Sequence, residues 1–234
     1  MIKKKDKLFQ GQGKITALQF QKHNTERVNI FINGEYAFSL AAVLVVENQL
    51  KIGLALDQTT IAGLQAADVY HLGLAAAFDL IALRPRSTTE IQNRLRQRFP
   101  ALTPEVLDKV LTRLQELGYL DDAKFAEFWV ENRASFAPRG KLLIKQELAK
   151  KGVTREVIQE ALEKHLPTEN EQGESLEEEQ ALAAARKKAA TLKAEDWQSF
   201  YRKLGGFLQR RGYDFEVTNR ITKQLWRELK QNSD

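Results

Sequence analysis

Three histidines, His23, His71 and His165, are the side chains best suited to proton transfer in this 234-residue chain, and they are scattered. Cysteine is absent, which removes disulfides, thiolate catalysis, cysteine-based zinc sites and iron–sulfur clusters. There is neither a Gly-x-x-x-x-Gly-Lys phosphate loop nor a nucleophile elbow. Asp121-Asp122 is the nearest approach to a metal-binding pair, but Asp121 stands where a helix cap belongs and no third ligand accompanies it. The sequence therefore predicts no enzyme, no cofactor and no metal site.

The chemistry that remains is electrostatic binding. Lys150-Lys151 precedes Gly152, and Arg210-Arg211 precedes Gly212 at the same spacing. Arg94, Arg98, Lys145 and Lys203 fall on the same class of predicted helix, off its apolar stripe, while Arg139 and Lys141 flank Gly140. These ten cations are candidates for phosphates or for an acidic protein surface. A solvated helix face is the plain alternative for each of them. Arg139-Gly140-Lys141 serves equally well as a loop contact or as the cap and start of the following helix. Trp129, Trp197 and Trp226 have the rings to stack on bases, but Trp129 falls on a core stripe, where burial explains it better.

Charge is unevenly distributed along the chain. The formal total is +5, yet Glu169, Glu171, Glu174, Glu177, Glu178 and Glu179 share one stretch that has no Lys or Arg, so all other residues carry +11. From Arg186 to Lys230 there are twelve basic and five acidic residues, a balance suited to a polyanion or an acidic partner. The acidic stretch from Pro167 to Ser175 reads as a mobile linker. The basic start, Met1 to Lys7, has no apolar run after it, and no stretch is expected to reach membrane-spanning length, so a cytoplasmic location is expected.

The elements that must position these cations are mostly helical. An amino-terminal module over residues 1–65 is β-rich: apolar and polar residues alternate through Ile15–Gln21 and Val28–Ile32, and Asn33-Gly34 supplies the two positive-φ residues of a hairpin turn before Glu35–Ser39. Short helices follow at about Ala41–Asn48 and, possibly broken, at about Gln58–Leu83.

From Val69 onward a triplet of amphipathic helices recurs three times. The first triplet (66–120) places Val69, Leu72, Ala76, Leu80 and Leu83 on one face, then Ile91 and Leu95, then Val106, Val110, Leu114 and Leu117. The second (121–166) offers Phe125, Phe128, Trp129 and Asn132, then Ile144 and Leu148, then Val157, Ala161 and His165. After an acidic linker (167–176), the third (177–234) offers Leu182, Ala185, Ala189 and Leu192, then Phe200, Leu204 and Leu208, then Val217, Ile221, Leu225 and Leu229. Leu148 and Leu208 are each followed four residues later by a glycine able to end a helix, then by the caps Thr154 and Asp214, then by Val157 and Val217. The first triplet keeps this logic with Phe99-Pro100, the cap Thr103 and Pro104 at the first helical position. Ser87-Thr88-Thr89-Glu90 forms a capping box before Ile91, and Gly118 closes the first triplet before Asp121.

The fold class expected is mainly α: tandem three-helix repeats forming an elongated curved array, with a small β-rich amino-terminal module.

Arg86-Ser87-Thr88-Thr89-Glu90-Ile91 and the run from Leu114 through Gly118-Tyr119-Leu120-Asp121-Asp122 to Ala126 resemble the RecX signature. Arg139-Gly140-Lys141 with Glu147 to Val153 is similar to that family's second-unit pattern, and Phe207 to Tyr213 to its third. The resemblance spans about residues 70 to 230. The β module departs from the shorter members but resembles the layout of long ones, and Phe99-Pro100 stands where the first unit would have its glycine.

The resemblance implies a non-enzymatic modulator of the RecA recombinase in recombination and DNA repair. Such a protein lies in the groove of the RecA–DNA filament and restrains ATP hydrolysis, strand exchange and co-protease activity. It also implies sequence-nonspecific contact with single- or double-stranded DNA, no membrane partner and a monomeric chain. Two other readings remain at this stage. Gly140 to Leu162 superficially resembles a helix-turn-helix DNA reader, and a repeat protein also suits a scaffold for other proteins.

Overall fold

The computed structural model describes residues 9–136, 139–166, 176–193 and 196–231. The chain divides into two compact units, one built from residues up to Arg84 with Ile91–Tyr119, the other from Pro85–Glu90 with Leu120 onward. The expected acidic linker, Pro167 to Ser175, lies outside the described residues.

In the first unit, strands β1 (Gly13–Gln21), β2 (Asn24–Ile32), β3 (Glu35–Ala41) and β4 (Ala55–Leu56) form an antiparallel sheet in the order β3-β2-β1-β4. The alternation read from the sequence sets its buried face: Ile15, Val28, Ile30, Ile32, Phe38 and Leu40 are buried, with Ile30 opposite Phe38 and Val28 opposite Leu40. Asn33 and Gly34 take φ of 53° and 90°, the two left-handed positions expected of this hairpin turn. Leu44 on helix α1 (Ala42–Glu47), with Leu50, Leu56, Ile61 and Leu64, closes this core. Two residues are too few to show a period, so β4 left no mark in the sequence pattern.

Helix α2 (Gln58–Leu83) is one unbroken helix of 26 residues, its first turn capped by Asp57, which accepts the Thr60 amide at 2.7 Å. By length and composition α2 is apolar enough to cross a membrane, which corrects the expectation that no stretch reaches that length. Asp68, His71 and Asp79 interrupt its apolar runs and masked the total. Asp68 is buried in a two-pronged pair with Arg27 of β2, at 2.8 and 3.0 Å, and also accepts the Ala41 amide at 2.7 Å.

The buried face of α2 also differs from the expected one. Ala76 is buried as expected, but Gly73 and Ala77 are buried beside it, whereas Leu83 is 78% exposed. Small residues let helix α4 (Pro104–Glu116) approach, and a Cβ at Gly73 would touch Val110 at 3.4 Å. On α4 the buried residues are Leu107, Val110, Leu111 and Leu114, while the expected core residue Leu117 becomes the exposed C-cap. Between them runs α3 (Thr88–Arg98), with Ile91 and Leu95 fully buried.

The second unit holds two successive triplets. Helices α5 (Asp122–Phe136), α6 (Lys141–Lys150) and α7 (Arg155–His165) enclose Phe125, Ala126, Val130, Ile144, Leu148, Val153, Ile158, Ala161 and Leu162. Helices α8 (Leu176–Ala189), α9 (Trp197–Arg210) and α10 (Phe215–Gln231) enclose Ala181, Ala185, Phe200, Leu204, Leu208, Tyr213, Val217, Ile221 and Leu225. The repeated glycines end helices as expected. Gly152 and Gly212 take φ of 79° and 87°, and the Val153 and Tyr213 amides reach back to the carbonyls of Leu148 and Leu208, the six-to-one bond of a Schellman motif.

Candidate polyanion-binding surface

Each second helix buries two or three apolar residues and turns cations away from them. On α6 and α9 the last fully buried leucines are Leu148 and Leu208, and two residues on, about 200° around the helix, stand the exposed Lys150 and Arg210. Lys145 and Lys203 are exposed on the same two helices, and Arg94 and Arg98 on α3. Among the described residues, Arg94, Lys145, Lys150 and Arg210 have neither an ion pair nor a side-chain hydrogen bond. The Arg98 guanidinium sits 5.4 Å from the Phe99 ring centre, and the Lys203 ammonium donates to the Lys193 carbonyl at 2.8 Å.

The other four candidates are engaged within the fold. Glu147 of α6, only 15% exposed, accepts from the Trp129 indole N–H at 2.8 Å, from Arg133 at 2.7 Å and from Arg139. Burial, then the like charges of Arg133 and Arg211, pull the Arg139 guanidinium below its ordinary pKa. Lys151 pairs with Glu90 at 2.7 Å and lies 4.2 Å from the Trp129 ring centre, with 19% of its side chain exposed. Lys141 opens α6, and its backbone amide donates to Glu177 at 3.0 Å. Arg211 is the C-cap of α9, its guanidinium 4.8 Å from the Phe207 ring centre. Gly140 is the N-cap of α6, so the Arg139-Gly140-Lys141 segment does start a helix.

Asp121, Asp122 and His165 have neighbours within the fold. Asp121 accepts the amides of Ala123 and Lys124, and Asp122 accepts that of Thr88 at 2.8 Å. His165 ends α7 beside two acids of α5, its Nδ1 3.0 Å from Glu131 and its Nε2 3.6 Å from Glu127. Hydrogen bonding from Lys164 holds the Glu127 carboxyl below its usual range. Trp197 and Trp226 pack against each other, with ring centres 6.0 Å apart, on the core of the third triplet. Among the described residues no three acidic or histidine side chains group as metal ligands would. The arrangement offers charge and shape for non-covalent binding.

Sequence reasoning missed the Glu147 knot and the Glu90–Lys151 pair. The four-residue step from Trp129 to Arg133, which puts both on one face of α5, was the one available signal. Which acid that face would meet depends on how the helices fold back.

Three family models match the chain: the regulatory protein RecX N-terminal domain over residues 13–57, the second RecX three-helix domain over 121–162 and the third over 176–222. Regulatory protein RecX of Bacillus subtilis (strain 168) is 32% identical over 211 residues, 90% of this chain and 76% of the relative. That of Bacillus pumilus (strain SAFR-032) is 30% identical over 213 residues, 91% of this chain and 77% of the relative. A crystal structure of regulatory protein RecX superposes with a TM-score of 0.64 at 24% identity, covering 90% of this chain and 98% of the other. RecX from Lactobacillus salivarius gives 0.57 at 21% identity, covering 68% of this chain and 97% of the other. At those identities the two structures speak for the fold, while the Bacillus relatives cover enough of both chains to settle kinship. With its sheet, its repeated glycine-ended helices and these relatives, the chain belongs to the family of the regulatory protein RecX.

Proposed function

We propose that this protein restrains the RecA recombinase by binding the RecA–DNA filament non-covalently, limiting ATP hydrolysis, strand exchange and co-protease activity. Membership of a family named for regulation supports a regulatory role. The observation that carries the binding mode is the set of exposed cations on the second helices that meet no acid among the described residues: Arg94, Lys145, Lys150 and Arg210. Cations left unpaired across separate helices suit many modest contacts along a polymer of protein and phosphate, with avidity supplying the affinity. Arg98 and Lys203 extend the same set. Lys141, Lys151, Arg139 and Arg211 enter this reading as supports of the surface, since their partners lie within the chain.

Co-sedimentation with RecA-coated DNA across a salt series tests this. Binding to the coated DNA should exceed binding to naked DNA of the same sequence and should weaken as salt rises. Reversing Lys150 and Arg210 to glutamate should weaken binding about tenfold or more while helix content stays the same, because neither side chain has a partner to lose among the described residues. A single preferred sequence on naked DNA would favour a helix-turn-helix reader instead. Undiminished binding of the double variant would clear those residues.

A further inference from the structure

Two groups of contacts in the second unit correspond closely. At the start of α3, the Thr88 amide donates to Asp122 at 2.8 Å and the Ser87 hydroxyl donates to the Lys151 carbonyl at 2.6 Å. The next residue, Gly152, lies so close to Thr89 that a side chain there would overlap it. At the start of α6, the Lys141 amide donates to Glu177 at 3.0 Å and the Gly140 amide donates to the Arg211 carbonyl at 2.8 Å. The next residue, Gly212, lies as close to Leu143.

The equivalence is positional at the helix starts, while the glycine turns seat one residue apart, Gly152 on Thr89 and Gly212 on Leu143, which stands where Glu90 does. Ser87 and Gly140 stand four residues before the buried Ile91 and Ile144. Asp122 and Glu177 lie in the first turn of the helix that opens the following triplet. Lys151 and Arg211 each precede the glycine that ends a second helix.

We propose that these are one joint used twice, in which an acid from each following triplet caps the second helix of the triplet before it, and the following glycine turn seats against that helix start. The joint stands whether or not RecA is the partner. The first four amides of a helix lack internal acceptors, and Gly140 has no side chain to cap α6 itself, so Glu177 fills that role from the next triplet. The series stops at α9, where Asp196 of the same triplet caps the helix by accepting the Ser199 amide at 2.7 Å. The joint also gives the recurrence of Lys151 and Arg211 a structural reason: each contributes the carbonyl that receives the preceding triplet.

Between the second and third triplets the joint acts as a hinge. The two buried clusters share no residue, and the helix pairs that pack extensively all lie within one triplet or the other. The connection is local, two hydrogen bonds and the seat of Gly212 against Leu143, so it can open while each triplet keeps its own helix packing.

Gly140→Ala in the full chain is a clean probe. Gly140 has φ −65° and ψ 154°, backbone that alanine adopts freely, and the methyl would overlap the Gly212 carbonyl and the Tyr213 backbone nitrogen of the following triplet. Exchange of the Lys141 amide, followed by NMR, should accelerate at least tenfold. The distance distribution between spin labels at the exposed Gln159 and Lys223 should broaden, with circular dichroism of helices and aromatic side chains unchanged. Glu177→Ala should do the same from the other side of the joint, and Gly63→Ala, which faces open space, should change nothing. Unchanged Lys141 protection and label distances in both joint variants would overturn the proposal. So would loss of the aromatic signal together with the broadening, since the triplets would then unfold rather than hinge.

Discussion

Tyr213 and Glu147 show how this fold treats polar atoms it cannot leave in water. Glu147 gathers an indole N–H and two guanidinium groups, which leaves its carboxylate well satisfied although mostly buried. The hydroxyl of Tyr213, buried in the third triplet, finds no partner among the described residues. Burial therefore pushes the Tyr213 phenol up to about 12, from an ordinary value near 10. The native state keeps a proton there that the unfolded chain releases. The stabilising contribution is fully present below about pH 10 and is lost as pH climbs through 12. Tyr213→Phe should leave stability at pH 7 unchanged or raise it by about 1 kcal/mol, and should flatten its decline above pH 10, measured by urea unfolding at pH 7 and pH 11. A parallel decline in both proteins would contradict this environment. The sequence identified the caps Asp121 and Thr103 because such bonds are local. It did not identify the surroundings of Glu147 or Tyr213, which come from distant residues.

At the scale of elements, the hairpin and the helix ends were the most legible features, because each rests on a few adjacent residues with restricted backbone or a capping side chain. Asn33-Gly34 and the glycines at 118, 152 and 212 all took the expected left-handed conformation. Buried faces were less legible. On α4 and α7 the core takes Leu107 and Ile158, each next to the expected Val106 and Val157, because the packing neighbours, not the period alone, decide which edge of an apolar stripe faces inward. Thr154 takes the N-cap position of α7 without making a side-chain cap bond, whereas Asp214 accepts the Val217 amide at 2.8 Å. Asp196 matters more than its neighbours because no following triplet caps α9 among the described residues. Asp196→Ala should cost about 1 kcal/mol in urea unfolding, and amide exchange should quicken in the first turn of α9 and not in α6. Equal loss in both helices would mean that the two ends are not capped independently.

For the whole molecule, the informative quantity is which charges stay free. A count of cations along the chain gave ten candidates, and the structure separates those exposed on the second helices from those whose side chains meet Glu147, Glu90 or Phe207, with Lys141 bonded through its backbone amide at the start of α6. Composition cannot make that division, since a paired and an unpaired lysine look alike in sequence. Kinship with regulatory RecX proteins gives a regulatory protein, and these exposed cations support the proposed binding to a charged polymer. The most direct test adds the purified chain, at amounts below the recombinase, to the host RecA assembled on single-stranded DNA and follows ATP hydrolysis. Inhibition at fewer than one chain per several RecA protomers is the expected result; an unchanged rate at equal amounts, with no chain retained on the filament, would contradict the account.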